Sequence, residues 1–546
     1  MYSRTYDNHR FSPLDQINRD SVQNLELEWS HTMHPGTQEN IPLVHAGVMY
    51  VANPRGIVQA LDAATGKLLW EYRRTLPADI EKFIRGVGRA RTLALYADQV
   101  YYASPDGYLL SLAADSGALR WEARVHDYKT QTQHTTGPMI VRGKVLTGRN
   151  CGSTRKYCFI AAHDALSGEE LWKFYVTAAP GEAGGDTWGE MPVDLRLASP
   201  WGLPGGFDPE RNLVYWGTAN PSPHTRIKRH NGKPFVVSLS APAELYSNST
   251  LALDPDTGEL AWYYQHLPGD DWDSDYTHER ILIRSPFTPD KESVKWINPD
   301  VARGDSYDMV VSVGEPGGIW ILNADDGTFL WATPFPFDTS DFHIADIDVK
   351  TGVTRISKDK VLTQDGEVQT TCFQNTKSYW PMAYHPHKNA LYIPYHDACV
   401  TRTGNLALSN GHSRVSHARA GSDPERFAGL AKVDMATGIV TRLHTQRNPG
   451  NGAVLLTAGD LVFWGDMSGT LYALDADSGE ILWDDTVTGI IQTSTITYAV
   501  DGRQYVAILT GDGLSGTYGP LAIVSELDVK RQQNAIHVFA LPEQSR

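Results

Sequence analysis

An all-β chain folded as an eight-bladed β-propeller is what this sequence predicts, and three observations carry that expectation. The tract Ala60–Trp70 (ALDAATGKLLW) recurs along the chain, with copies ending at Trp121, Trp172, Trp262, Trp331 and Trp483 and a weaker one at Lys432–Arg442, where Arg442 replaces the tryptophan. Each copy reads as an apolar strand, an Asp-x-x-(Thr/Ser)-Gly or similar turn, and a second strand closing on an aromatic, which is a β-hairpin signature. Another strand pair lies upstream of most copies, so a unit holds about four strands, as a propeller blade does.

The units follow in order. Ile41–Ala52 (IPLVHAGVMYVA) supplies the first pair before the copy ending at Trp70, and Leu93–Ala103 (LALYADQVYYA) does so before Trp121. The turn glycine accepts positive φ, and the tryptophan offers a large apolar face to the next unit. Trp70, Trp121 and Trp172 are evenly spaced, 51 residues apart; the next intervals, to Trp262, Trp331, Arg442 and Trp483, are 90, 69, 111 and 41 residues, so long excursions are inserted there. The interval of 111 residues has room for one degraded unit around Tyr379–Tyr395. With seven visible units this makes eight blades, the N-terminal Leu25–Ser30 (LELEWS) completing the last, in a single domain spanning residues 1–546.

Composition agrees: 546 residues, 41% hydrophobic and 21% charged, describe an ordinary globular chain that exceeds the usual single-core length because a radial array grows by repetition. No apolar run approaches the ~20 residues of a membrane span. A net charge of −16 disfavours nucleic acid and anionic membrane surfaces but not a basic protein partner. The polar N-terminus shows no signal-peptide pattern, as expected of either a cytoplasmic protein or a mature chain whose leader was removed. Four cysteines fall in two pairs, Cys151 with Cys158 and Cys372 with Cys399, and there is no C-x-x-C-H haem motif or zinc-type double C-x-x-C. The even count permits two disulfides and an oxidising compartment; four buried thiols in a cytosolic protein is the alternative.

Repeats define an architecture, and function must come from the insertions. These are rich in polar and aromatic residues: Thr130–Gly137, Gly148–Phe159, Gly181–Trp188, Phe207–Pro223 and Pro268–Glu279. The last holds Asp270, Asp271, Asp273, Asp275 and Glu279. Such oxygen ligands suit a hard cation, and a carboxylate beside one serves as a general base; a solvated acidic loop is the bland alternative.

Gln38-Glu39 with Pro42-Leu-Val, Ala60–Trp70, Arg91 before Leu-Ala-Leu-Tyr, Pro180-Gly-Glu with Asp186-Thr-Trp, Gly217-Thr-Ala-Asn-Pro, Trp272-Asp273 and Asp501-Gly-Arg-Gln-Tyr-Val-Ala together resemble the soluble quinoprotein alcohol dehydrogenases. These are eight-bladed propellers that use pyrroloquinoline quinone (PQQ) and a metal ion. The likeness is collinear from about Tyr6 to Leu541, and Cys151-x6-Cys158-Phe with the ending Asn534–Pro542 is most similar to the sorbose/sorbosone dehydrogenase branch, which oxidises polyols and other bulky alcohols.

The resemblance implies that Glu39, Arg91, Thr135 and Asn150 hold the carboxylates and ring oxygens of PQQ, a reasonable task for a guanidinium with hydroxyl and amide donors. It implies that Trp201 forms the floor under the quinone, that Asn220 and Asp273 are metal ligands, and that Asp273 is also the base that takes the hydroxyl proton while hydride goes to the quinone. Asp275 falls where lanthanide-using members carry an extra aspartate; Ca²⁺ is the expected ion, with a lanthanide kept open. The implied partners are a small alcohol and a cytochrome c acceptor, with a homodimer left open, and the implied location is the periplasm.

This chain departs from the family pattern in places. Arg85 and Gly86 stand where adjacent cysteines normally form a disulfide over the quinone, so a Cys151–Cys158 bridge is the candidate lid. Ser153 aligns with the glutamate that completes metal coordination. Glu315-Pro316-Gly317-Gly318 occupies the place of a cation beside the quinone oxygen, for which Lys377 is the candidate replacement, and Tyr379 replaces the usual asparagine before Trp380. The competing reading is a quinoprotein-like propeller that has lost its cofactor and serves as an assembly scaffold.

Overall fold

The computed structural model describes residues 3–373, 376–513 and 518–543. Eight of its ten sheets contain a set of four antiparallel strands. The first runs Leu43–His45, Val48–Asn53, Ile57–Asp62 and Leu68–Arg73, paired in sequence order as the strand-pair and hairpin motifs predict. In the last, Ile496–Val500, Arg503–Thr510 and Ala535–Ala540 are completed by the N-terminal Glu26–Thr32, with Leu27 opposite Phe539 and Trp29 opposite Val538. Leu25–Ser30 therefore does join the last sheet.

One expectation about the units is corrected. Tyr379–Tyr395 is not a unit separate from the weak copy at Lys432–Arg442: Ala383–His385 and Ala390–His396 form one sheet with Ala428–Asp434 and Val440–Gln446. Residues 397–427 intervene between its second and third strands, so sequence spacing presents its two halves as two units.

The recurring tryptophan locks neighbouring sheets together. Trp70 Nε1 donates to the Ala114 carbonyl at 2.9 Å, and its ring lies where a Cβ on Gly117 would come within 2.5 Å. Gly117 sits at φ +70°, so the turn and the close approach both require glycine. Trp121 on Ala165, Trp172 on Pro255 and Trp262 on Ala324 repeat the contact. Removing one such ring is worth ~3–5 kcal/mol. Where Arg442 replaces the tryptophan, its guanidinium lies over Phe337 and Tyr395 instead.

Strands of a four-strand meander alternate in direction, so the link into the first strand, the second-to-third link and the exit from the fourth all emerge at one edge. The long connections 125–137, 148–158, 176–205, 218–248, 266–280, 334–382 and 397–427 are all of these kinds. They are gathered at one face, where side chains distant in sequence can converge.

Candidate active site

A cavity of about 220 Å³ lies among these connections, lined by Arg89, Thr135, Asn150, Cys151, Trp201, Asn220, His224, Asp273 and Asp275, among others. A larger one, about 510 Å³, runs along the innermost strands past Val44, Leu95 and Ile496 and is lined by none of the site residues expected from sequence. The chemistry is in the smaller.

The acidic segment is not a solvated loop. Asp270, Asp271, Asp275 and Glu279 are buried, and three of these four carboxylates are committed to holding the backbone. Asp270 Oδ1 accepts from the backbone N–H groups of Trp272 (2.8 Å) and Asp273 (2.9 Å), Asp271 from those of Arg226 (2.7 Å) and Leu362 (3.0 Å) while pairing with Arg402, and Glu279 from that of Met382 (2.8 Å) and from Lys377 Nζ (2.9 Å). The Asp270 turn puts Asp273 in the left-handed region at φ +64°, a conformation aspartate tolerates better than most residues. Its carboxylate faces His224 Nε2 at 3.3 Å and Arg414 Nη1 at 2.7 Å.

Asp275 joins the remaining pieces. Its Oδ2 accepts from the Trp201 indole N–H at 2.7 Å and its Oδ1 from the Asn220 backbone N–H at 2.8 Å. The Asn220 Nδ2 donates to the Pro221 carbonyl at 3.1 Å, which leaves Oδ1 as the amide acceptor. Burial, then the neighbouring Asp273 charge, pushes the Asp275 pKa up to about 7. Glu315, which accepts from the Asp275 backbone N–H at 3.2 Å, is driven well above the usual carboxylate range by burial and by Asp275. His224 is shifted down, because burial outweighs the attraction of Asp273.

Arg91 and Glu39 form a fully buried pair at 2.6 Å. Arg91 also donates to the carbonyls of Thr135 (3.2 Å) and Trp201 (3.1 Å), and its guanidinium lies 4.7 Å from the Trp201 ring and 4.3 Å from that of Tyr379. Thr135 Oγ1 donates to the Trp201 carbonyl at 2.8 Å. Behind the cavity wall, then, this group fixes Trp201 from one side while Asp275 fixes it from the other.

Both cysteine pairs are disulfide-bonded, Cys151 with Cys158 and Cys372 with Cys399. Cys151 lines the cavity beside Asn150, and Cys158 is buried behind it. Cys372 and Cys399 lie away from the cavity but share a hydrophobic cluster with Trp272, so they brace the segment that presents Asp273.

Of the site residues expected from sequence, Thr135, Asn150, Cys151, Trp201, Asn220, Asp273 and Asp275 meet at the cavity. Ser153, Lys377 and Trp380 do not line it. The exposed Ser153 donates its hydroxyl to the Thr130 carbonyl at 3.0 Å, Lys377 is tied to Glu279, and Trp380 is buried against His396. Sequence reasoning missed Arg89, His224 and Arg414. His224 lies four residues after Asn220 and was within reach of the motif, but Arg414 arrives from the strand His412–Ala418 with no local signal.

Among the described residues, no three His, Cys, Asp or Glu side chains are grouped closely enough to hold an ion by themselves. An ion here would have to draw on the Asn220 amide oxygen and on oxygens of a bound ligand besides the aspartates. The donor set suits a planar polycarboxylate: an indole face, hydroxyl and amide groups, and a buried guanidinium, Arg89, whose Nε has no partner among the described residues.

A family model described as PQQ, glucose/ethanol/alcohol dehydrogenase, β-propeller domain, matches residues 1–334 and 357–506. Quinoprotein alcohol dehydrogenase PedH of Pseudomonas putida is 28% identical, with 98% of this chain and 89% of the relative covered. Quinohemoprotein alcohol dehydrogenase ADH IIB of Pseudomonas putida is 30% identical over 94% of this chain and 73% of the relative. Among solved structures, a europium-containing methanol dehydrogenase superposes with TM-score 0.85 at 23% identity, covering 99% of this chain and 97% of the other. The quinohemoprotein alcohol dehydrogenase ADHIIG of Pseudomonas putida HK5 gives TM-score 0.81 at 26% identity, covering 100% and 80%.

Proposed function

The chain belongs to the PQQ-dependent glucose/ethanol/alcohol dehydrogenase family, and from that premise we propose that it oxidises a primary or secondary alcohol, of the polyol, sugar or bulky-alcohol class, with Asp273 as general base and a cytochrome c as final acceptor. The observation that supports this most directly is the meeting of Trp201, Asn220, Asp273 and Asp275 in one cavity. PQQ, when bound with Ca²⁺, supplies the two-electron acceptor and an electrophilic carbonyl.

The protein's own residues do the rest. Trp201, pinned through its indole N–H by Asp275 and through its carbonyl by Arg91 and Thr135, offers a fixed aromatic face for a planar ring. Thr135 and Asn150 face the cavity as neutral hydrogen-bonding groups, and the Asn220 amide oxygen is positioned for the ion. Asp273 receives the substrate hydroxyl proton; His224, held neutral by burial, and the half-exposed Arg414 orient its carboxylate. Both wall groups are polar, which favours a hydroxylated substrate over a purely aliphatic one. The two disulfides support a periplasmic location, and the collinear family match supports one domain over residues 1–546.

The function is tested by adding PQQ and Ca²⁺ and recording the absorbance spectrum and dye-linked alcohol oxidation. A protein that binds no quinone and turns over no alcohol is the assembly scaffold instead. Chelator-treated protein is expected to regain activity with Ca²⁺. A lanthanide that activates at least as well as Ca²⁺ reassigns the ion as trivalent.

Replacing Cys151 and Cys158 together by serine removes a bridge that closes a short loop, expected to stabilise by only ~2–3 kcal/mol. Because Cys151 is part of the cavity wall, the double variant should lose quinone affinity far more than thermal stability. The longer Cys372–Cys399 loop should show the reverse order, as read by melting and by PQQ titration of both pairs. Normal quinone binding without Cys151–Cys158 rejects its role as a wall.

A further inference from the structure

Two buried guanidinium groups stand two residues apart at this site, and they are not equivalent. Arg91 is neutralised by Glu39, donates to backbone carbonyls and lies behind Trp201. Arg89 is 9% exposed, lines the cavity, and makes no ion pair among the described residues. Its Nη2 donates to Gln133 Oε1 at 2.9 Å, and its buried Nε has no partner among the described residues.

The surroundings are built to hold it there. Gln133 is fixed by a reciprocal pair of backbone hydrogen bonds with Asn150, 2.9 Å each, so the group that aims Arg89 belongs to the same wall as Asn150 and Cys151. Gly86, at φ +63°, lies against the Arg89 stem, and a Cβ there would come within 3.2 Å of Arg89 Cδ and 3.3 Å of Nε. Burial holds the Arg89 pKa below its ordinary value, Glu39 opposing and Arg91 adding to the shift. A buried cation beside an intact Arg91–Glu39 pair leaves one positive charge uncompensated at this end of the cavity, a costly state unless a ligand brings the counter-charge.

We propose that Arg89, in addition to the Arg91–Glu39 pair, is a cationic receptor for a carboxylate of the planar polycarboxylate cofactor, so that cofactor binding supplies the anion this buried guanidinium lacks in the protein alone. The inference rests on the proposed function, since PQQ is the carboxylated ligand it invokes. Guanidinium suits the task through its parallel N–H donors, which lysine cannot reproduce.

The test is a titration of cofactor-free protein with PQQ, followed by quenching of tryptophan fluorescence, for wild type, Arg89→Gln and Arg89→Lys. PQQ trimethyl ester serves as the control ligand, and the melting temperature of each cofactor-free protein is recorded. Arg89→Gln is expected to weaken PQQ binding about ten- to a hundredfold, the range of a charge-assisted hydrogen bond, with Arg89→Lys between the two. Binding of the ester should change little, and cofactor-free Arg89→Gln should melt no lower than wild type, because a buried cation has been removed.

Wild-type affinity for PQQ in Arg89→Gln overturns the assignment while leaving the proposed function standing. Equal loss of PQQ and ester, with a lowered melting temperature in the cofactor-free variant, makes Arg89 a structural residue and also overturns it. Failure of the wild type to bind PQQ overturns the proposed function, and the assignment with it.

Discussion

Asp273→Asn is expected to lower kcat for PQQ-dependent alcohol oxidation by ~10²–10⁴-fold, the usual worth of a general base, with further loss to the extent that the same carboxylate holds the ion. Asparagine is the right replacement because it accepts the left-handed backbone at φ +64° and keeps the Asp273 backbone N–H on Asp270. Fold effects should be small. The Arg414 partner is 44% exposed, and ion pairs of that kind contribute ~1 kcal/mol or less. Unchanged circular dichroism and melting with activity gone is the expected result; full turnover in Asp273→Asn would falsify the assignment of the base.

Arg91→Met is expected to destabilise the fold by ~3–5 kcal/mol, seen as a lower denaturant midpoint. The Arg91 and Glu39 side chains are both 0% exposed and lie 2.6 Å apart, so removing the guanidinium strands a buried carboxylate. The cation–π contacts with Trp201 and Tyr379 and the hydrogen bonds to two backbone carbonyls go with it. Glu39→Gln combined with Arg91→Met removes the stranded charge and should recover much of the loss, since the Tyr379 hydroxyl that hydrogen-bonds Glu39 remains as a partner. Single and double variants of equal stability show that the pair contributes through packing alone. The double variant should still lose activity, because Trp201 is then anchored by Asp275 and Thr135 without the guanidinium.

The repeat was legible because it is local. Ala60–Trp70 and its copies carry strand, turn and docking tryptophan within eleven residues, and Trp70, Trp121, Trp172 and Trp262 each dock on the turn of the next copy, so one motif states both the blade and its neighbour contact. Legibility failed where the chain leaves a sheet midway: residues 397–427 split one sheet into what the spacing presents as two units. The site was partly legible for the same reason. Trp272-Asp273 and Gly217–Pro221 are short motifs that can be placed singly. What each neighbouring carboxylate does could not be read from five acidic residues in one loop.

By itself the sequence determined the all-β class, the repeating sheet and the closing role of Leu25–Ser30, and it grouped the cysteines in two pairs whose oxidation it left open. Only the tertiary structure decided that Asp270, Asp271 and Glu279 serve the backbone while Asp273 and Asp275 face the cavity, that Ser153, Lys377 and Trp380 stand outside it, that Arg89 and His224 line it, and that Arg414 reaches Asp273. The physical reason is that strand pairing and turns are set by side chains a few positions apart. A carboxylate's role, by contrast, is set by burial and by whichever cation or N–H group a distant loop brings within about 3 Å. Those groups come from connections hundreds of residues apart that share a face only because alternating strands return them to the same edge of every sheet.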